Sequence, residues 1–220
     1  AWRASRLVDE LGPRDAAEFM RASNEPAPLF VAVNAAKARD EAVEAAFAKA
    51  GERLERAGVG EELVPGCFLV PDGRSLLVPE VRRLLAQGRM LVSDAASQLV
   101  AASVLPAAKP ASLLEIGAGR ATKTILLQSG ACRRYGSQIE EHVTLDNRAF
   151  KTKLLLDRAK QYGVSVSQAL TGDALDLDAV VPNREFDVVF IDAPCSGLGT
   201  LRRHPEIRWR MEPEAVPSFA

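Results

Sequence analysis

From Ser112 onward one pattern recurs four times: a short apolar run that closes on an acidic residue. The runs are "SLLEIG", "EHVTLD", "VSVSQALTGD" and "FDVVFIDAPC". Between them stand a helical stretch over about 121–133, the amphipathic "RAFKTKLLLDRAKQYG" stopped by Gly163, and the short turn "ALDLDAVV". Strands and helices alternating at these lengths predict a parallel sheet with crossover helices. The runs are apolar throughout, as expected where both faces of a sheet are covered. The predicted fold class is α/β, a Rossmann-like sheet whose strand ends carry Glu115, Asp146, Asp173 and Asp192. Ligands of open α/β sheets sit off those ends. Four carboxylates there suit a ligand rich in hydroxyls and amines and argue against one rich in phosphates.

Ahead of this sheet the chain reads as a smaller α/β module. Pro13 suits the first turn of a helix over "PRDAAEFMRAS". "PLFVAVN" alternates like a half-buried strand. Asp40 is placed to cap a helix carrying Val43, Phe47, Ala50 and Leu54 at helical spacing, with Gly58 as its stop. "GCFLV" reads as a strand, "PDGR" as a turn, and "LVPEVRRLLAQG" and "SDAASQLVAASVL" as helices. The expected division is a small N-terminal module over 1–88 and a second domain over 89–220.

The composition, 47% hydrophobic and 26% charged, is that of an ordinary globular protein. No apolar run approaches the roughly 20 residues that span a bilayer, and the start lacks a signal peptide's apolar core. Cys67, Cys132 and Cys195 stand too far apart for a disulfide framework or a zinc site. No metal and a reducing, cytoplasmic setting are expected. Net charge is -1, so any contact with nucleic acid must rest on local patches.

"EIGAGRATKT" follows the first apolar run of the sheet. Taken alone it fits a plain tight turn or a ligand loop. A dinucleotide fingerprint wants Gly or Ala where Thr122 stands, and a P-loop's Gly-Lys-Ser/Thr ending is absent. S-adenosylmethionine suits the acids better. Its ribose diol matches Asp146, its adenine amine matches Asp173, and its amino-acid end can rest on the loop backbone. It carries no phosphate, and its sulfonium is positive. The candidate cofactor-binding residues are Glu115, Gly117, Ala118, Gly119, Arg120, Ala121, Thr122, Lys123, Asp146, Asp173 and Asp192.

"DAPCSGLGTLRRHPEIRWR" resembles motif IV of the Sun-type RNA cytosine-5 methyltransferases, and "RRHPEIRW" is most like the members that modify 16S ribosomal RNA. "SDAASQLVA", "EIGAGRATKT", "LDNRAFK", "GDAL" and "PLFVAVN" are similar to further family segments, so the resemblance runs from about 29 to 209. It implies a class I methyltransferase sheet preceded by an RNA-recognition-like module. It implies S-adenosylmethionine as cofactor, small-subunit ribosomal RNA as partner, no membrane and a monomer. Asp192 would face ring nitrogen 3 of the cytosine, and Cys195 would assist product release. Arg202, Arg203, His204 and Arg208 are candidate RNA contacts, with the arginines suited to phosphates or to activating the thiol. Trp209 is read first as a buried anchor for the loop and second as a platform that stacks on a base. Cys67 and Cys132 are expected to be buried fillers, and Lys151, Lys153, Arg158 and Lys160 a solvated helix face.

The sequence departs from the family at three points. Arg120, Ala121 and Thr122 replace a Pro-Gly-Gly. The Thr-Cys nucleophile of a later strand is not within the 220 residues, so this chain alone is expected to be inactive. The family's N-terminal helical extension is not evident. Two other readings stand beside the first. An exocyclic-amine methyltransferase would place an aromatic where Cys195 stands. A non-catalytic RNA- or cofactor-binding module would need no nucleophile.

Overall fold

The computed structural model describes residues 2–210 and residue 212. They form two compact units, one of residues 28–193 and one of the two ends, 1–27 with 194–220.

In the end unit, α1 (Trp2–Ala22) is two helices joined at Gly12, whose φ of 79° and ψ of 163° break the helix. Pro13 opens the second of them, the first-turn position its missing N–H favours. Residues 2–11 were not expected to be helical.

The central unit holds two four-stranded sheets. The first is built from β1 (Leu29–Val33), α2 (Asp40–Lys49), β2 (Glu55–Val59), β3 (Glu62–Val70), α3 (Pro79–Ala86) and β4 (Met90–Val92). Its order is β2-β3-β1-β4, antiparallel throughout. Val31, Phe47, Phe68, Val81 and Met90 fill the core beneath it. β4 pairs with β1, so the sheet runs past the expected boundary at 88.

Two further expectations fail here. α2 ends at Lys49, where Gly51 at φ 80° lets the Glu52 N–H reach the Phe47 carbonyl. Gly58 is not that stop. It lies at a bulge in the β2–β3 hairpin, where a Cβ would sit 1.7 Å from the Glu62 carbonyl oxygen. Asp40 makes no side-chain cap either. Its carboxylate accepts both Arg133 guanidinium N–H groups, at 2.7 and 3.0 Å.

The second sheet follows α4 (Ala95–Val104) and contains β5 (Ser112–Ile116), α5 (Thr122–Tyr135), β6 (Glu141–Asp146), α6 (Ala149–Tyr162), β7 (Gln168–Thr171), α7 (Leu177–Val180) and β8 (Val188–Ile191). All four strands are parallel, in the order β7-β6-β5-β8, as the alternation predicts. Leu113, Ile125, Leu127 and Leu155 pack on one face, and Leu114, Val143 and Leu145 on the other. Asp187 fixes the start of β8 by accepting the N–H groups of Ala111 and Ser112 at 2.8 and 2.9 Å. Those bonds hold its carboxyl below the usual range.

A polar seam joins the two sheets. Asn34 is fully buried, and its Nδ2 donates to the carbonyls of Gly88 and Tyr162, both at 2.7 Å. The Ser129 hydroxyl donates to the Val33 carbonyl and accepts the Ala35 N–H. With Arg133 on Asp40, these bonds satisfy buried polar groups on both sides, and the two sheets lie in one compact unit.

Candidate active site

The parallel sheet delivers its acids to one edge, but the four are not equivalent. Asp146 closes β6 and is only 6% exposed. Its Oδ2 accepts the Gly119 N–H at 3.0 Å, and its Oδ1 accepts the Arg148 N–H at 3.0 Å. Lys151 lies 3.4 Å from the same carboxylate, so this lysine is not part of a merely solvated face. A basic residue five positions beyond a strand-end acid was the signal for it. Asp192 follows β8, is exposed, and pairs with Lys123 at 3.4 Å. Asp173 is exposed beyond β7 and accepts the Leu175 N–H at 2.9 Å.

Glu115 breaks the pattern. It is fully buried in β5 and its Oε2 lies 3.0 Å from the Nε2 of His142, which is equally buried in β6. It touches no solvent, so the expected direct contact with a ligand is not available to it. The cause is its place along the strand: Glu115 lies inside β5, on the covered face it shares with Leu113 and His142, one pleat period short of the edge that Asp146 reaches.

The loop after β5 is set by backbone conformation. Gly117 has φ 79° and Gly119 φ 55°, both favoured by glycine. At Gly117 a Cβ would lie 2.3 Å from the Asp192 carbonyl oxygen, so β8 passes directly against the loop. The N–H groups of Gly117 and Ala118 both bond to the Leu145 carbonyl. Ala121 is the N-cap of α5 at φ 64°, ψ 14°, a left-handed conformation unusual for alanine. Ala118 and Ala121 are buried, Thr122 and Lys123 half-buried, and Arg120 is exposed, its carbonyl accepting from Arg158 at 2.7 Å. The structure thus brings Gly117–Lys123, Asp146 and Asp192 together at one rim.

In the end unit, Cys195 is a free, exposed thiol. Gly197, at φ 72°, precedes a 3-10 turn over Leu198–Thr200, and the Thr200 hydroxyl donates to the Gly197 carbonyl. Arg202 donates to the carbonyls of Pro26 at 2.7 Å and Glu25 at 3.4 Å, and Arg208 donates to the Ser23 carbonyl at 2.6 Å. These two guanidinium groups are engaged with the end of α1. His204 sits 3.2 Å from Glu206, in the turn that Pro205 favours. Trp209 is 74% exposed, not a buried anchor. It lies on the short helix α8 (Ile207–Arg210), where Ile207 takes the inward position against Gly197. Cys67 is buried, and burial pushes its thiol up to about 11. Cys132 is half-buried, and burial raises it too.

Residues 105–220, just over half of the chain, match the 16S rRNA methyltransferase RsmB/F family. The chain belongs to that family. A probable ribosomal RNA small subunit methyltransferase B from Bacillus subtilis is 24% identical over 220 residues, covering 97% of this chain and 44% of the relative. A putative methyltransferase from Mycobacterium tuberculosis is 34% identical over 177 residues, covering 78% and 35%. The chain spans less than half the length of these relatives. Among solved structures, PH0851 superposes with a TM-score of 0.81 at 24% identity, covering 99% of this chain and 46% of that one. NSun6 from Pyrococcus horikoshii, solved with SFG, superposes at 0.75 with 14% identity, covering 98% and 75%. These likenesses establish the RsmB/F member's fold as that of a Rossmann-like methyltransferase. Among the described residues no helix is long and apolar enough to cross a membrane, and no three His, Cys, Asp or Glu side chains group to hold a metal.

Proposed function

We propose that this chain is the S-adenosylmethionine-binding part of an RNA cytosine-5 methyltransferase acting on small-subunit ribosomal RNA. The observation that carries the reading is the clasp of the glycine loop by Asp146, with Gly119 N–H on its carboxylate. It leaves a backbone loop and a strand-end acid side by side, the pairing that an amino-acid group and a ribose diol require. The rim fits the group chemically: it offers carboxylates and backbone N–H, and no phosphate cradle. The structural neighbour solved with SFG, an S-adenosylmethionine analogue, supports the same choice.

S-adenosylmethionine supplies a methyl group on a sulfonium. The chain's residues bind it and manage the base. Asp146 accepts from the ribose hydroxyls once its bond to Gly119 is exchanged. Asp173, exposed beyond β7, accepts from the adenine amine. Arg120 and Thr122 would bring backbone N–H groups to the amino-acid end, while Ala121, its own N–H bonded to the Ala118 carbonyl, would shape the loop between them. Asp192, oriented by Lys123, would share a proton with ring nitrogen 3 of the cytosine, which gains basicity as the adduct forms. A thiol adding to carbon 6 makes carbon 5 nucleophilic, and in this family the Thr-Cys segment supplies it. After transfer the carbon 5 proton must leave and that thiol must be expelled, and Cys195 is assigned to assist. Arg203 and His204 are the RNA contacts retained in this reading.

The test is methyl transfer from labelled S-adenosylmethionine to unmodified small-subunit ribosomal RNA, with nucleoside mass spectrometry. This chain is run beside one carried to the gene's natural stop codon. Production of 5-methylcytidine supports the reading. Cofactor binding by both forms without any methylated nucleoside overturns it in favour of a binding module.

A further inference from the structure

The strand-end acids differ in how their charge is balanced. Asp146 has Lys151 at 3.4 Å and Asp192 has Lys123 at 3.4 Å, so each faces a cation. Among the described residues Glu115 has the ring of His142 as its polar side-chain partner, and both side chains are fully inaccessible. The other carboxylate oxygen, Glu115 Oε1, and the other ring nitrogen, His142 Nδ1, are buried with no hydrogen-bond partner. So is the Thr124 hydroxyl, in the first turn of α5. Half-satisfied polar groups of this kind are costly, and apolar side chains of similar shape would be cheaper in a sheet lined by leucine and valine. The pair sits two residues before Gly117, under the loop that meets the ligand.

We infer that His142 is a positioning residue for the cofactor site: its Nε2–H holds the Glu115 carboxylate charged beneath the glycine loop, and that charge favours a cationic ligand at the strand ends. The contact to Glu115 is made through Nε2, and Nδ1 has no partner among the described residues. A charge in the low-polarity interior is screened far less than one in water. Glu115 therefore acts on the ligand without touching it. The inference rests on the S-adenosylmethionine reading above and adds an electrostatic contribution that acts on the sulfonium and not on the uncharged thioether product.

The test is equilibrium binding of S-adenosylmethionine and S-adenosylhomocysteine, which differ in the charge on sulfur, to this chain and to His142→Leu, His142→Gln and Glu115→Gln. Leucine removes the donor, and a fully buried carboxylate without one gives up its charge. Glu115→Gln removes the charge directly and keeps the shape. The expected result is that both compress the affinity ratio of sulfonium to thioether about tenfold, the order for losing one buried unit charge. His142→Gln, whose amide can donate to the carboxylate, keeps the ratio. Equal weakening of both ligands, or an unchanged ratio in folded Glu115→Gln, overturns the inference, and that variant decides alone if His142→Leu does not fold. A parent chain that binds neither ligand overturns the cofactor reading itself, and this inference with it.

Discussion

At the glycine loop the chain bonds to itself through buried groups: Gly119 to Asp146, Asp146 to Lys151, and Glu115 to His142. At residues 194–210 it does the reverse. Cys195 stands exposed, and the order around it comes from local turns and from two arginines that donate to backbone carbonyls of residues 23–26. The first region is preorganised by the sheet beneath it, so its geometry survives changes to single exposed side chains. The second depends on a few surface hydrogen bonds, each worth about 1 kcal/mol net. A binding function is expected of the first and a chemical function of the second, and they should separate by mutation.

The largest effects test that separation. Asp146→Ala is expected to lower cofactor affinity about 100-fold, because it removes both the loop's clasp and the ribose acceptor. Cys195→Ala should leave that affinity within about twofold, while multiple-turnover methylation by the form carried to its stop codon falls at least about 100-fold. Calorimetry and a labelled-methyl assay read the two. A Cys195→Ala variant that loses cofactor binding erases the contrast.

Thiol chemistry sharpens it next. Cys67, raised to about 11 by burial, holds its proton at any pH below that value. Thiolate being the reactive form, alkylation at pH 8 should label exposed Cys195 at least about 100-fold faster than Cys67, with half-buried Cys132 between them. Mass mapping of the alkylated peptides gives the order directly.

Smaller effects probe the supports. Arg202→Ala should cost about 1 kcal/mol or less. It should leave the salt dependence of RNA binding unchanged, since this guanidinium is committed to the Pro26 carbonyl. A slope reduced by about one would instead return Arg202 to the phosphates. Ala121→Gly should change stability least. Relief of the left-handed conformation, about 1 kcal/mol, is offset by the loss of a fully buried methyl worth about 0.8 kcal/mol. Thermal unfolding within a degree or two of the parent is expected, and a large drop would mean the methyl anchors the loop.

Legibility followed the physics of each region. The parallel sheet was readable strand by strand because its strands are short apolar runs punctuated by glycine and acid. In the antiparallel sheet β2 and β4 were not. "ERAGV" is mostly solvent-facing and carries no apolar periodicity, and "MLV" is only three residues long. Gly58 looked like a helix stop because a bulge glycine and a C-cap glycine are the same letter. Lys151 looked solvated because its helix face was legible, while its pairing with Asp146 depends on how α6 leaves the end of β6.

By itself the sequence determined the alternation of strand and helix, hence the parallel sheet, the edge where its acids gather, and the family. Those follow from local periodicity and from motif residues close together in the chain. Only the tertiary structure decided which acids meet solvent, which face cations, and which arginines are already spent. Glu115 and Asp146 close neighbouring strands with the same chemistry, yet Glu115 is sealed against His142 and Asp146 clasps the loop. In the register that pairs Glu115 with Thr144 the two acids share a face, so the difference is one pleat period along the strands: Glu115 stays within the covered sheet and Asp146 reaches its edge, which depends on register between segments far apart in the chain.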